Sequence, residues 1–162
     1  MKIAITGHSA GIGQALAKIY TEQGHEVVGL SRRNGYNIRS IPKVAGMIEP
    51  CDMFINNAQV GFAQTELFWE VWDRWQGQEK TIINISTQMT VSSIAPKEEW
   101  DQYIIQKKAL ELAHTQCQER SSLPTLILIK PGAIATQPGQ HPPEYQDVNE
   151  YAQQTVEYIN GQ

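Results

Sequence analysis

A doubly wound parallel α/β sheet with helices on both faces is the fold this sequence predicts, and three observations predict it. Strand-like and helix-like segments alternate along the whole chain. The strand-like segments are nearly all apolar, as in Met53-Phe54-Ile55 and Leu126-Ile127-Leu128-Ile129, the composition of strands covered on both sides. No internal repeat, low-complexity tract or long linker interrupts the pattern, so residues 1–162 read as one domain. Right-handed crossovers then place ligands at the carboxyl ends of the strands.

The elements follow in order. Lys2-Ile3-Ala4-Ile5-Thr6 is a short buried strand, and a glycine-rich turn leads to a helix over Gln14–Gln23, where Leu16, Ile19 and Tyr20 share one face. Gly24 ends that helix and His25–Leu30 is the second strand. Ser40–Glu49 is a short helix with Pro42 in its first turn, and Cys51–Asn56 is a strand. Gln64–Gln76 is a tryptophan-rich helix, Lys80–Ser86 a strand, and Lys97 to about Arg120 the longest helix. Thr125–Lys130 is a strand that stops at Pro131-Gly132. A loop rich in Pro, Gly and Gln over Thr136–Pro143 precedes a last helix near Val148–Ile159.

Composition narrows the function classes. Thirteen Lys+Arg against seventeen Asp+Glu give a formal charge of −4, with no basic field to attract nucleic acid. The apolar runs are too short to cross a bilayer, and the N-terminus lacks the charged and apolar regions of a secretory leader. Cys51 and Cys117 have no metal-type spacing and read as two buried thiols of a reducing compartment, so the expected location is cytoplasmic.

Chemistry is concentrated in four places. Thr6-Gly7-His8-Ser9-Ala10-Gly11-Ile12-Gly13 joins the first strand to the first helix. Glycines there permit a tight turn, let backbone N–H groups approach a phosphate, and let helix and strand pack closely; the helix N-terminus adds unpaired donors. Asn56-Asn57-Ala58 follows the third strand, Tyr103-Ile104-Ile105-Gln106-Lys107 lies on the long helix, and Pro131-Gly132-Ala133-Ile134-Ala135-Thr136 follows the fifth strand. Tyr103 and Lys107 are four apart and share a helix face. A phenol is a poor acid–base group at neutral pH unless a nearby cation favours the phenolate.

In spacing and order these four segments resemble the short-chain dehydrogenase/reductase family, over residues 1 to about 136. The resemblance implies a Rossmann-like fold, a nicotinamide dinucleotide and a small-molecule carbonyl or secondary alcohol as substrate. It also implies a homo-oligomer, with no nucleic-acid or membrane partner. It implies that Gly7, His8, Ser9, Gly11, Ile12 and Gly13 hold the pyrophosphate, and that Asn57, Ala58, Pro131, Gly132, Ile134 and Thr136 line the cofactor channel. Tyr103 would exchange a proton with the substrate oxygen, and Lys107 would lower the tyrosine pKa and bond the nicotinamide ribose. The substrate-orienting hydroxyl falls on Thr87, with Ser86 as runner-up because alternation points the two to opposite faces; Ser92 and Ser93 read as loop residues.

The second strand ends Gly29-Leu30-Ser31-Arg32-Arg33, without the carboxylate that would accept from a bare ribose. Arginine pairs bidentately with a phosphate and Ser31 adds a donor, so Ser31, Arg32 and Arg33 favour NADP(H) over NAD(H). Asn37-Ile38 stand where the resemblance puts residues beside the adenine, on a badly eroded strand.

The chain departs from the family pattern in several respects. It is far shorter than the family norm and lacks the usual C-terminal cover, Gln59 stands in a glycine position, and no asparagine occupies the truncated helix between Asn57 and Thr87. Gln64 and Gln76 are the candidates to replace it. These departures motivate a second reading, a dinucleotide-binding sensor or scaffold that has lost catalysis. A third, an epimerase or dehydratase of the extended relatives, fits poorly without a sugar-nucleotide domain. Phe68, Trp69, Trp72 and Trp75 read either as packing on the sheet or as a subunit contact. His114 and His141 have no partner pattern and read as surface or packing residues.

Overall fold

The computed structural model describes residues 1–91, 97–137 and 139–162; Ser92 and Ser93 lie outside the described residues. In chain order the elements are β1 (Lys2–Thr6), α1 (Gly11–Glu22), β2 (Glu26–Leu30), α2 (Ile41–Ile48), β3 (Met53–Asn56), α3 (Ala63–Arg74), β4 (Thr81–Ile85), α4 (Asp101–Arg120), β5 (Thr125–Ile129), β6 (Ile134–Ala135), β7 (Gln146–Asp147) and α5 (Val148–Asn160). Among the described residues β1 to β5 form a parallel sheet in the order β2-β1-β3-β4-β5.

Because side chains alternate across a strand, each all-apolar strand feeds two cores. Ile5, Ile55, Ile83 and Ile127 pair in one row across four strands and pack beneath α1 and α5. The neighbouring row, Ala4, Phe54, Ile82 and Leu126, faces the opposite way and packs with residues of α2, α3 and α4. Every residue of these rows is buried. Removing one such side chain down to Ala costs about 2–5 kcal/mol, the range for large-to-small core changes.

The helices take their places by the same logic. Leu16 and Tyr20 of α1 are fully buried. On α3, Leu67, Phe68, Val71 and Trp72 form one inward face, continued by Trp75 just past the helix. Three of the four aromatic residues are therefore core, and only Trp69, at 41% exposure, faces outward. The inward stripe of α4 is Ile104, Lys107, Leu110, His114 and Cys117, in which two polar groups interrupt the apolar run.

Several boundaries differ from expectation. α1 starts three residues earlier than Gln14, because Gly11 and Gly13, poor helix formers, are recruited into its first turn. Residues 98–100 form a separate 3-10 turn before α4. Asn37-Ile38 carry no strand: the chain runs from a 3-10 turn at Arg32–Asn34 directly toward α2, which leaves β2 at the sheet edge. The two-residue strands β6 and β7 bring the ends of the Pro/Gly/Gln loop together; they are too short to leave a period in the sequence.

The order places β2 on one side of β1 and β3 on the other, so the chain reverses direction in the sheet there. The carboxyl ends of β1 and β3 flank that crevice, the usual ligand position in open α/β sheets.

Candidate active site

The glycine turn follows β1 directly into the crevice. Gly7 has φ +70°, a left-handed conformation that suits glycine. A Cβ on Gly13 would lie 2.3 Å from the Gly7 carbonyl oxygen, so only hydrogen fits where α1 meets the turn. Asn57 ties the other lip: its Nδ2 donates to the Thr6 carbonyl at 3.1 Å, and its backbone N–H donates to Thr6 Oγ1 at 3.1 Å. The N-cap of α1, Ala10, offers no side-chain cap and the first turn holds no acid, leaving donors and a positive dipole end toward the crevice. Thr136 closes the far side, its methyl 3.4 Å from where a Gly11 Cβ would stand.

Beside this turn is a cavity of about 400 Å³ lined by Gly7, Ser9, Ala10, Ser31, Arg32, Arg33, Asn37, Ile38, Ala58 and Gln59, among others. Its size is within the range of small-molecule sites. Ser31 is buried there and the two guanidiniums are exposed at its rim. Arg33 reaches over the turn, with Nη1 3.5 Å from the Ser9 carbonyl oxygen. Asn37 Oδ1 accepts from the Arg39 N–H. The His8 side chain is not part of this cavity: its ring fills the space a Gly29 Cβ would occupy and lines a separate open groove between α1 and β2. Ile12 packs into the core beneath α1, and Pro131 accepts from the Gln88 N–H at 2.9 Å. Gly132 leaves room for the Gln88 amide, and Ile134 is buried.

The proton-handling groups lie past β4. Lys107 is 3% exposed; its Nζ donates to Gln64 Oε1 at 2.9 Å and to the Ile85 carbonyl at 2.8 Å. It lies 5.7 Å from the centre of the Tyr103 ring. Burial pulls the Lys107 ammonium down to about 8, opposed by the Glu111 carboxylate. Burial pushes the Tyr103 phenol up, and a hydrogen bond with the Thr87 hydroxyl works against that rise. Thr87 caps the turn at Gln88–Thr90, its oxygen accepting from the Met89 N–H at 3.3 Å. Ser86 turns away from this group and donates to Glu111 Oε1 at 2.6 Å.

Behind Lys107 runs a buried chain of amides. Gln64 Nε2 donates to the Asn56 carbonyl at 2.8 Å and to the Ile85 carbonyl at 3.0 Å. Asn56 Nδ2 donates to the Gln64 carbonyl at 3.0 Å and to Asn84 Oδ1 at 2.9 Å. Asn84 Nδ2 then meets His114 Nδ1 at 3.1 Å, which requires a neutral imidazole accepting at that nitrogen. Burial lowers the His114 pKa, in keeping with that form. Gln64 thus sits on the lysine, while Gln76 is exposed beyond the end of α3. Gln59 bonds the Gln106 amide.

Sequence reasoning gave no role to Glu111 or Asn84, and named Asn56 only as the first residue of the Asn56-Asn57-Ala58 segment. Their signals are present: Glu111 continues the four-residue spacing of Tyr103 and Lys107, and the two asparagines are lone polar residues at paired positions of apolar strands.

No protein-family model matches the chain. An uncharacterised oxidoreductase of Emericella nidulans is 31% identical over 120 residues, a match that takes in 59% of this chain and 43% of that protein. The chain therefore spans less than half the length of this curated relative. Among solved structures, a short-chain dehydrogenase of Burkholderia cenocepacia in complex with NADP superposes with a TM-score of 0.81 at 16% identity, covering 99% of this chain and 84% of that one. A 4-hydroxyisoleucine dehydrogenase complexed with NADH gives 0.76 at 18% identity, covering 98% and 90%. From the strand order to the crevice at the ends of β1 and β3, this chain has the fold of the short-chain dehydrogenases.

Proposed function

We propose that the chain is a member of the short-chain dehydrogenase/reductase family and works as an oxidoreductase on a small-molecule carbonyl or secondary alcohol, with NADP(H) preferred over NAD(H). The observation that carries this reading is the meeting of Thr87, Tyr103 and Lys107 past β4, with the glycine-turn crevice opening at the neighbouring strand ends.

The cavity and the turn fit a dinucleotide. Glycine hydrogens leave the backbone open, the uncapped start of α1 faces the crevice, and Ser31, Arg32 and Arg33 line the cavity with the donors that would hold a 2′-phosphate. When bound, the nicotinamide supplies or accepts hydride. The protein's part is proton transfer and orientation. The Thr87 oxygen takes the Met89 N–H, so its own proton is available to Tyr103 or to a substrate oxygen. Tyr103, neutral at pH 7, donates its proton as a carbonyl oxygen gains charge in reduction. The Lys107 ammonium steadies the phenolate left behind. Two of its three N–H donors rest on Gln64 and Ile85, and the remaining one would serve the nicotinamide ribose when the dinucleotide is held. Of Gln64 and Gln76, we assign the role of the missing asparagine to Gln64, because its amide oxygen accepts from Lys107.

The test is to mix the protein with NADPH and a panel of aldehydes and ketones, and to follow the nicotinamide absorbance. Oxidation of NADPH by at least one carbonyl is expected. Tight NADPH binding with no oxidation across the panel would favour the second reading, a dinucleotide-binding sensor, for which the Gln59–Gln106 hydrogen bond in a glycine position is the motive.

A further inference from the structure

One carboxylate outside the reacting groups gathers the segments around them. Glu111 lies one helical turn beyond Lys107 and two beyond Tyr103, on the same side of α4. Its Oε1 accepts from three donors on three segments: Ser86 Oγ at 2.6 Å, at the end of β4; Thr90 Oγ1 at 2.8 Å, in the following turn; and Lys130 Nζ at 3.1 Å, just past β5. The same hydroxyl lies 3.0 Å from the Thr87 carbonyl oxygen, so its one proton is shared between the carboxylate and that carbonyl. The stretch from Ser86 to Thr90 is thus pinned at both ends to one oxygen atom, and it encloses Thr87. Hydrogen bonds to an ionised acceptor are about twice as strong as neutral ones, which suits a clamp.

We propose that Glu111 is a positioning residue, resting on the oxidoreductase reading: by holding Ser86 and Thr90 it sets the Thr87 hydroxyl against Tyr103. Its charge has a second effect. Among the described residues, the groups facing Lys107 are Tyr103 and Glu111 from α4, the neutral Gln64 amide from α3 and the Ile85 carbonyl from β4. Glu111 is the one anion acting on the ammonium among these, and it favours the protonated form. Lys130 faces Glu111 and completes the cluster.

Two variants separate the mechanical effect from the charge. Glu111→Gln keeps an acceptor and removes the charge; the double variant Ser86→Ala/Thr90→Val keeps the charge and removes the clamped hydroxyls. Glu111→Gln should lower kcat about ten- to a hundredfold, the scale of a small misplacement at a reacting centre, with KM and NADPH affinity within about twofold of wild type. In the ligand-free protein it should also make Lys107 titrate at lower pH, read from its 13Cε NMR shift. The double variant should lower kcat comparably and leave the Lys107 titration in place. Hydrogen exchange at the Met89 amide should quicken in both variants. An unchanged kcat in Glu111→Gln would overturn the proposal, as would a loss of kcat matched by equal losses of NADPH affinity and thermal stability. If the wild-type protein oxidises NADPH with no carbonyl, the ligand-free readouts still decide. Unmoved Lys107 titration and Met89 exchange then reject the clamp, and shifts in both uphold it while the oxidoreductase reading alone fails.

Discussion

The two faces of the sheet are built from the same five strands and differ at one end only. Under α1 and α5 the side chains stay apolar toward the carboxyl ends of the strands, as in Ile83 and Ile85. Under α3 and α4 the row Ala4, Phe54, Ile82 is followed by Thr6, Asn56 and Asn84, all fully buried and hydrogen-bonded. The first face is held by area and shape, which tolerate modest change. The second is held by partners, and removing a partner leaves a desolvated group behind. The polar end of that face is the floor on which Lys107 sits, so the chain concentrates its specific, less replaceable hydrogen bonds where the proposed chemistry is.

The largest expected effect lies on the polar side and in rate. Tyr103→Phe should cut turnover by about 10²–10⁴-fold, the range for a general acid–base group, and leave NADPH affinity nearly intact; steady-state kinetics and a binding titration check both parts. Equal turnover in the two proteins would remove Tyr103 from the mechanism. Next is a matched pair in stability. Asn84→Leu strands Asn56 Nδ2 from one acceptor and leaves His114 Nδ1 without its donor, and should cost about 2–4 kcal/mol on the scale of buried groups left unpaired. Ile83→Val, one residue away on the apolar face, should cost about 0.5–1.5 kcal/mol. Urea unfolding of both variants tests the contrast, and equal costs would break it.

A smaller effect is expected at the cavity rim. Arg32→Ala combined with Arg33→Ala should weaken NADPH about tenfold or more, because the 2′-phosphate would then have no guanidinium to bond, and leave NADH little changed. Fluorescence titration with both dinucleotides reads this directly. The gentlest effect is in pH. Lys107 is held down to about 8 from an ordinary 10.5, so between these values the unfolded chain binds the proton and the folded chain does not. Stability from this group therefore rises with pH across that window and is lost as pH falls through about 8. The wild-type urea midpoint should gain on that of Lys107→Met from pH 8 to 10.5. Turnover that needs the ammonium should decline as pH rises through about 8.

Much of the fold is legible in the sequence because it rests on repetition. An unbroken run such as Thr81-Ile82-Ile83-Asn84-Ile85 needs cover on both sides, and the structure supplies it. What escapes is local and singular. Gly11 and Gly13 lie inside α1 although glycine reads as a breaker, because close packing on the Gly7 carbonyl decides that turn. Glu111 continues the spacing of Tyr103 and Lys107, but its partners Ser86, Thr90 and Lys130 arrive from segments that the spacing does not bring together. His8 and Ile12 share the glycine turn with Gly7 and Ser9, yet their side chains leave the cavity, a matter of backbone direction that spacing does not encode.

Asn56 and Asn84 stand opposite one another in the β3–β4 ladder and are joined side chain to side chain. Sliding either strand by a single position would swing an amide into the oily layer beneath α1, while the isoleucines themselves would accept the exchange. Runs of nearly interchangeable isoleucine offer little to choose one alignment over the next. The pair acts as a dowel: it makes the slipped sheets expensive, and a chain that has found the dowel has already assembled the seat of its lysine.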